Sequence, residues 1–461
     1  MLELSWSARE CCQWWGLWPL DAGRDVGGTA VGYFCMLRRL HALATSLPLI
    51  LIVAAILRLG FFWDYASQNS HHALGVLPFL FEPGNIAASI ASGNGYASPF
   101  RVPSGPTAWM APVYPLLLSA VFRIFGAYTF PSFVAATLLN ILFSTLTCVP
   151  IFWAGRRIGG LGVAAGGAWL WAFFPNAILI PFECMWDASV AALLAAAILW
   201  ATLELGDSRR MHDWCGYGAL WGLALMTNPT LISLLPFLFG WLIWRTHADG
   251  RERFKSMSLA LGVAVLCCVP WTIRTYLAFD TFVPLRTNLG VQLWCGNSEG
   301  ARDLWLGEGH PIHDAAERAR YIELGEIAYE HEKRNEALNY MLTHPRRELH
   351  LTWVRFVTFW SGGTPAPIAD FIRNGSAWFR YVLIFNLLTA TGALAGIIVL
   401  IARRSAYAFP LAIYPLVLPW AYYLTIVEPR YRLPVDPTVM LLSAIFISRL
   451  LGRPVIRPRA S

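Results

Sequence analysis

Charge is scarce in this chain, and its scarcity excludes the common soluble classes of protein. Of 461 residues only 14% are charged, whereas 56% are hydrophobic and the mean hydropathy is +0.50. Because soluble domains carry about a quarter charged residues, a water-soluble enzyme is not expected. The 22 Trp, 27 Phe and 16 Tyr are too much apolar mass for a disordered chain. The composition predicts a polytopic membrane protein.

The sequence also lacks the motifs of several enzyme classes. It has neither a Walker A motif nor a dinucleotide-binding fingerprint. Its 9 cysteines form no Cys-x-x-Cys pair, and His310, His313 and His331 lack the i, i+4 spacing of a helical zinc site. No internal repeat of the kind found in many transporters is visible.

Long apolar runs without strand-like alternation predict an all-α polytopic membrane protein, because closed helical hydrogen bonding carries a chain through lipid. About ten transmembrane helices are expected, at 43–63, 131–153, 161–181, 187–205, 214–227, 229–245, 257–278, 378–402, 407–427 and 438–451. The runs 112–126 and 349–361 are too short to span and are interpreted as interfacial helices on the outer face. The polar, helix-like stretch 300–348 predicts a small helical insert on the same face.

The basic residues predict the orientation of the chain. Arginine pairs such as Arg38-Arg39, Arg156-Arg157 and Arg403-Arg404 occur at every second connection, so the positive-inside rule places both termini in the cytoplasm. The net charge of +7 is explained by this asymmetry, and no nucleic-acid partner is expected. The expected location is a bacterial inner membrane.

Four regions follow from this topology. Residues 1–35 are an extension to which no function is assigned, and 36–278 form an N-terminal membrane module with a catalytic outer loop at 64–130. Residues 279–377 form the outer-face insert with its interfacial helix. Residues 378–461 supply the last membrane helices and a cytoplasmic tail.

Few acidic residues fall near the outer face. Glu82 precedes Pro83 at the predicted start of a helix, where a carboxylate is electrostatically favoured, so it is interpreted either as a helix cap or as a catalytic base. Glu183 and Asp187 lie in the short outer turn at 182–187. They are interpreted either as interfacial solubilising groups or as a second acid facing Glu82.

Arginines on the outer face oppose the positive-inside trend. Arg274 lies at the outer end of a span, and Arg430 and Arg432 lie in the segment before the last one. The planar guanidinium matches phosphate oxygens, so these residues are predicted to bind a lipid phosphate. The alternatives are pairing with Glu428 and snorkelling to the interface.

Short motifs occur in a particular order between residues 40 and 450. They are Leu57-Arg58-Leu59-Gly60-Phe61, Glu82 followed by Gly93, Gly95 and Tyr96, the 112–126 run, Gly155-Arg156-Arg157, Pro270-Trp271-Thr272-Ile273-Arg274, the Gly296-Asn297 turn and Arg430-Tyr431-Arg432-Leu433-Pro434. In these motifs the chain resembles the GT-C superfamily of membrane glycosyltransferases, in its branch of protein mannosyltransferase-like and aminoarabinose-transferase-like enzymes.

The resemblance implies a GT-C fold and inverting transfer of a sugar from a polyprenyl-phosphate donor to an outer-face glycan, lipid or protein acceptor. At the positions that match the motifs of this family, the resemblance implies that Glu82 is the base and that Glu183 or Asp187 helps to place the acceptor. It implies that the outer arginines hold the leaving phosphate. Tyr96 and Tyr431 are further substrate-binding candidates. Some members use a divalent metal and others do not, so no cofactor is assigned.

Two other functions remain open. The family usually has aspartate in the first outer loop, where this chain has Glu82-Pro83. Because of this departure, one alternative is that the chain is a non-catalytic relative that binds polyprenyl lipid. A lipid or solute transporter is disfavoured, because the informative polar residues crowd the outer face instead of the middle of the spans.

Overall fold

The computed structural model describes residues 42–208, 210–245, 249–301, 309–361 and 376–452. Contacts divide the chain into Met1–Ala44, of which only residues 42–44 are described, and Thr45–Ser461, which holds all the helices given below. The predicted extension at 1–35 lies outside the described residues. These form helices, turns and one isolated antiparallel bridge between Ala97 and Pro106.

The helices follow the predicted runs. They are α1 Leu47–Gln68, α2 His71–Val76, α3 Glu82–Ala91, α4 Val113–Phe125, α5 Phe130–Leu146, α6 Cys148–Ala172, α7 Pro175–Glu183, α8 Ala188–Leu205, α9 Met211–Leu225, α10 Leu235–Arg245, α11 Gly250–Phe279, α12 Leu289–Gly296, α13 Ala315–Leu324, α14 Glu326–Thr343, α15 Pro345–Ser361, α16 Ala377–Ala402, α17 Ala408–Val417, α18 Trp420–Tyr423 and α19 Asp436–Leu450.

Within the described residues, five helical stretches are long and apolar enough to cross a membrane, or six if the pair bent by 97° between His71–Phe79 and Glu82–Ala91 counts as one span. The prediction of an all-α multi-pass membrane protein is confirmed. The stretch Phe130–Ala172 covers two predicted spans. The other predicted spans form shorter helices, so the count of ten stays a prediction.

A reversal at Gly159 and Gly160 explains how one helical stretch supplies two spans. Gly160 adopts φ +76, which glycine tolerates at no steric cost. A Cβ on Gly155 would lie 2.7 Å from the Cα of Ala164. Nine residues of continuous helix would separate these positions by about 13 Å, so α6 folds back on itself as a helical hairpin.

The last helix, α19, forms the centre of the bundle between α6 and α16. Of its 15 residues, 11 are buried, and its neighbours approach through small residues. Gly167 meets Leu441, and Gly396 lies so close that a Cβ there would be 2.1 Å from the carbonyl oxygen of Leu442. Close backbone approach at small residues is the usual means of packing helices in lipid.

Charged residues gather at both ends of the bundle. Arg157 and Arg245 pair with Asp207, and Arg157 also pairs with Glu204. These acids lie at the end of α8, whereas Asp187 directly precedes its start. Because 18 helical residues span about 27 Å, the ion-pair cluster and Asp187 lie at opposite ends. The candidate site is built at the Asp187 end.

Replacing Gly396 by Val should separate α16 from α19, since the new methyl groups would overlap the Leu442 carbonyl. We expect a loss of about 1–3 kcal/mol of stability, as is typical of overpacking. Thermal unfolding in detergent would measure it. Gly262→Val is the matched control, because the Cβ position of Gly262 meets nothing within 4 Å. Equal unfolding temperatures for the two variants would contradict this packing.

Candidate active site

Glu82 is the first residue of α3, as the sequence predicts, and its side chain is only 4% exposed. Local sequence explains its position. Pro83 at the second helical residue favours a helix start, and a Cβ on Gly84 would lie 2.1 Å from the carbonyl oxygen of Phe79. Only glycine permits this close turn from the preceding 3-10 helix, Leu77–Phe79. The turn therefore directs Glu82 into the protein.

Two ring N–H groups face the Glu82 carboxylate. The Nε2 of His310 lies 3.4 Å from its Oε1, and the side chain of Trp109 donates a hydrogen bond to it. The backbone N–H of Ile312 donates to Nδ1 of His310, so in the neutral ring the proton is on Nε2. Burial lowers the pKa of His310 to about 3. His310 therefore faces Glu82 as a neutral ring and not as a cation.

Burial raises the pKa of Glu82 to about 7, although the helix backbone and Arg430 oppose this rise. The carboxyl group thus changes charge close to neutral pH. A base that is half-ionised near the working pH is present in large part as the proton-accepting form and still has a high affinity for the proton. The environment of Glu82 is therefore suited to accepting a proton.

Glu82 opens into a cavity of about 330 Å³. Arg430 lies across it, with its guanidinium 4.0 Å from the ring of Trp186 and with Nη2 donating to Oε1 of Glu428 at 2.7 Å. Arg430 Nη1 also pairs with Glu428. The charge of Arg430 is thus largely balanced by Glu428 before any ligand binds.

A second cavity of about 80 Å³ adjoins the first and shares Trp186, Gln292 and Tyr431 with it. Asp187, which is 9% exposed, lines this second cavity and accepts a hydrogen bond from Asn228 at 3.1 Å. Burial raises the pKa of Asp187, whereas Arg286 and Arg430 lower it. Asp187 therefore lies within the electric field of both arginines.

Arg286 is the more available of these two cations. It lines the second cavity and is half-buried, and its charge acts on Asp187 and Tyr422. Among the described side chains no carboxylate forms an ion pair with it within 4.0 Å. A guanidinium lining a cavity without a salt-bridge partner is well prepared for an anionic ligand.

The structure brings four of the predicted site residues together around the two cavities, namely Glu82, Asp187, Arg430 and Tyr431. Tyr431 also stacks on Tyr422, with ring centroids 4.7 Å apart. The assignments of catalytic and binding roles to these residues stay predictions.

The other predicted residues lie elsewhere. Glu183 is exposed at the end of α7, near Tyr65. Arg432 is buried and donates to Oδ1 of Asp436 at 2.7 Å and to the carbonyl of Trp360. None of these residues lines either cavity.

Arg274 and Tyr96 also lie away from both cavities. Arg274 donates to the carbonyls of Thr107 and Tyr96, with its guanidinium over the rings of Tyr96 and Trp271. The hydroxyl of Tyr96 donates to the carbonyl of Met110. These contacts hold the outer loop together.

Sequence reasoning missed His310 and Arg286. His310 was weighed only as a zinc ligand, although it is one of few histidines in the insert. Arg286 carries the same signal as the predicted arginines, a cation in an outer segment. No group of three His, Cys, Asp or Glu side chains that could hold a metal ion is found in the described ranges.

Comparison with known proteins bears on the fold and on the reaction class of similar proteins. Residues 108–273 match the family described as dolichyl-phosphate-mannose-protein mannosyltransferase. The chain is similar to the oligosaccharyltransferase of Archaeoglobus fulgidus in the apo form, with a TM-score of 0.53 at 15% identity over 87% of this chain and 50% of that one. At this identity the structural likeness shows the fold, and the family match covers little more than a third of the chain. The predicted GT-C fold is confirmed.

Two further similarities are to proteins whose names include a lipid phosphate. An 86-residue stretch is 31% identical to an undecaprenyl phosphate-alpha-4-amino-4-deoxy-L-arabinose arabinosyl transferase of Pseudomonas paraeruginosa, over 18% of this chain and 15% of that protein. The archaeal AglB solved with an inhibitory peptide and a dolichol-phosphate has a TM-score of 0.51 at 14% identity, over 87% of this chain and 50% of AglB. The chain thus spans about half the length of these two solved structures.

Replacing His310 by Leu should raise the pKa of Glu82 above 7, because the carboxylate loses the polar ring whose Nε2 lies 3.4 Å from Oε1 and gains an apolar neighbour, which disfavours its charged form. Infrared titration of the carboxyl band, isolated by subtracting the Glu82→Gln spectrum, would measure this pKa. His313→Leu is the matched control, since His313 lines the same cavity, whereas the close approach to Glu82 is made by Nε2 of His310 at 3.4 Å. An unchanged pKa in His310→Leu would contradict the assigned contact.

Proposed function

We propose that this protein transfers a sugar from a polyprenyl-phosphate-linked donor to an acceptor on the outer face of the membrane, with inversion at the anomeric carbon. One observation carries the proposal. A buried carboxylate with a pKa near 7, Glu82, shares adjoining cavities with Arg286 and Arg430, at one end of a GT-C helix bundle. A base and a phosphate-binding pair are what this reaction needs.

In the proposed reaction, a nucleophilic hydroxyl or amine of the acceptor attacks the anomeric carbon of the sugar. The acceptor loses its proton to Glu82, and the bond between the anomeric carbon and the phosphate oxygen breaks. Polyprenyl phosphate leaves with both bonding electrons. Attack from the side opposite the phosphate inverts the anomeric carbon in a single step.

The charge that develops on the leaving phosphate requires fixed cations. Such preorganised electrostatic stabilisation is usually the largest catalytic contribution. Arg286 is assigned to this role first, because its charge is not already balanced by an ion pair with a described residue. Arg430, paired with Glu428, is assigned to the edge of the phosphate that faces Glu82.

Asp187 is the second acid in this proposal. Its hydrogen bond from Asn228 and its position in the field of Arg286 and Arg430 support a role in holding the arginines and the acceptor. The predicted topology gives the side of the membrane on which the reaction would occur. Both cavities would open on the outer face of a bacterial inner membrane, with the chain termini in the cytoplasm.

Replacing Glu82 by Gln should reduce transfer at least about 100-fold, the usual contribution of a general base, with donor affinity nearly unchanged. In the unmodified protein the rate should rise with pH through about 7, because only the ionised carboxylate accepts a proton. Release of polyprenyl phosphate from a panel of donors, in nanodiscs with acceptor, would measure both. Glu183→Gln, the same change on an exposed acid outside both cavities, should retain activity.

Two results would contradict this function. Full activity in Glu82→Gln would remove the base from the mechanism. A failure of the unmodified protein to release polyprenyl phosphate from any donor and acceptor, with binding of the lipid intact, would favour the non-catalytic lipid-binding relative.

Replacing Arg286 by Gln should weaken binding of undecaprenyl phosphate about tenfold or more, since a hydrogen bond to a charged group is worth about 1.5–3 kcal/mol. Equilibrium binding of the labelled lipid in nanodiscs would measure the loss. Arg123→Gln makes the same charge change at an exposed residue of α4, outside both cavities. Equal affinities for the two variants would exclude Arg286 as the phosphate ligand.

A further inference from the structure

A further buried carboxylate, Glu326, lines neither of the two cavities. It lies in the first turn of α14 and is 4% exposed. Four donors reach it, namely the hydroxyls of Thr107 at 2.5 Å, Tyr321 at 2.6 Å and Thr287 at 2.7 Å, and the backbone N–H of Ala108 at 2.7 Å. A buried carboxylate is tolerated only when it is fully hydrogen-bonded in this way.

One side of this carboxylate leads to the proposed base. The hydroxyl of Thr107 donates to Oε2 of Glu326 and accepts a hydrogen bond from the backbone N–H of Trp109 at 3.0 Å. The side chain of Trp109 in turn donates to Glu82. Glu326 is therefore linked to Glu82 by the hydrogen bonds of Thr107 and by Trp109, whose backbone contacts Thr107 and whose side chain contacts Glu82.

The other side leads to the phosphate-binding arginine. The hydroxyl of Thr287 donates to Oε1 of Glu326, and its backbone N–H donates to the carbonyl of Ala108 at 3.0 Å. Thr287 lies between Arg286 and Asn288, both of which line the cavity of Asp187. Fixing Thr287 therefore fixes the backbone from which Arg286 extends.

Arg274 holds the same loop from the other direction. Its Nη1 donates to the carbonyl of Thr107 at 2.5 Å, and Glu326 acts on its charge. The outer segments around Thr107 and Thr287 thus meet between the carboxylate of Glu326 and the guanidinium of Arg274. This gives Arg274 a structural explanation that does not involve the substrate.

We propose that Glu326 is a positioning residue that sets the distance between the base Glu82 and the phosphate-binding Arg286. The inference rests on the proposed function for its catalytic meaning. When the donor phosphate is bound at Arg286, the anomeric carbon of the sugar lies at a fixed distance from Arg286. The base must therefore be held at a matching distance. A misplacement of 1 Å at such a site reduces rates about 100-fold.

Two sets of contacts run from Glu326, and each can be weakened separately. We call them the Arg286 arm, which passes through Thr287, and the Trp109 arm, which passes through Thr107. Thr287→Val removes the hydroxyl on the Arg286 side, and affinity for undecaprenyl phosphate should fall about tenfold while the pKa of Glu82 stays near 7. Thr107→Val removes the hydroxyl on the Trp109 side. In that variant the pKa of Glu82 should rise, because the Trp109 donor is displaced, while lipid affinity stays within about twofold.

Both readouts are available without turnover. Binding of labelled undecaprenyl phosphate in nanodiscs reports the Arg286 arm, and infrared titration with the Glu82→Gln spectrum subtracted reports the Trp109 arm. The other groups that face Glu82 are unaltered in both variants: His310 and His313 from the insert, and Glu428, Arg430 and Tyr431 from the segment before α19.

Tyr321→Phe is the matched control, because it removes a third hydroxyl from the same carboxylate but breaks neither arm. Its lipid affinity and the pKa of Glu82 should both stay normal. Thr107→Ser and Thr287→Ser keep the hydroxyls and should behave as the unmodified protein. Should Thr107→Val fail to fold, the half-buried Thr287 still provides the test, with thermal unfolding as the check on integrity.

The proposal predicts that Thr287→Val changes only the lipid affinity and that Thr107→Val changes only the pKa of Glu82. Equal losses in both readouts for both valine variants, or the same losses in Tyr321→Phe, would reduce Glu326 to a general stabiliser and overturn it. Normal values in Thr287→Val would overturn it as well. These outcomes are distinct from failure of the proposed function, which is read from turnover of the unmodified protein and of Glu82→Gln.

Discussion

Removal of carboxylates from water is the constraint on which the outer end of this protein depends. An isolated buried carboxylate is too costly to keep ionised, so each one must be held by donors, balanced by a cation or protonated. Glu326 has four donors and Glu428 pairs with Arg430, whereas Glu82 has the Trp109 side chain as a donor, Nε2 of His310 at 3.4 Å and a pKa near 7. Glu82 is the least completely compensated of the three, and it lines the larger cavity.

The helix bundle makes this arrangement rigid. The last helix, α19, is enclosed by α6 and α16 through glycines that leave no room for a Cβ, so the segment that precedes it is held firmly. That segment carries Arg430 and Tyr431. On the opposite wall, the turn at Gly84 fixes Glu82. The insert then joins the two walls through His310 and Glu326, so the proposed chemistry depends on contacts between segments distant in sequence.

Local pattern was enough to predict the helices and the position of Glu82 at a helix start, because Pro83, Gly84 and apolar periodicity act within a few residues. The arginines could not be sorted in this way. Arg430 and Arg432 are two residues apart in a 3-10 turn, so they point in different directions, one to the cavity and one to Asp436. Arg286 and His310 reach the site only through tertiary contacts, as Arg274 reaches the carbonyl of Thr107.

The central claim is that one end of the bundle holds a lipid phosphate opposite a carboxylate base. A cryo-EM structure of the protein in nanodiscs with undecaprenyl phosphate would test it most directly. The account predicts phosphate density within hydrogen-bond distance of Arg286 and Arg430, on the side of the cavity facing Glu82. Phosphate bound instead at Arg274 or Arg432, or at the opposite end of the bundle near Arg157, would contradict it.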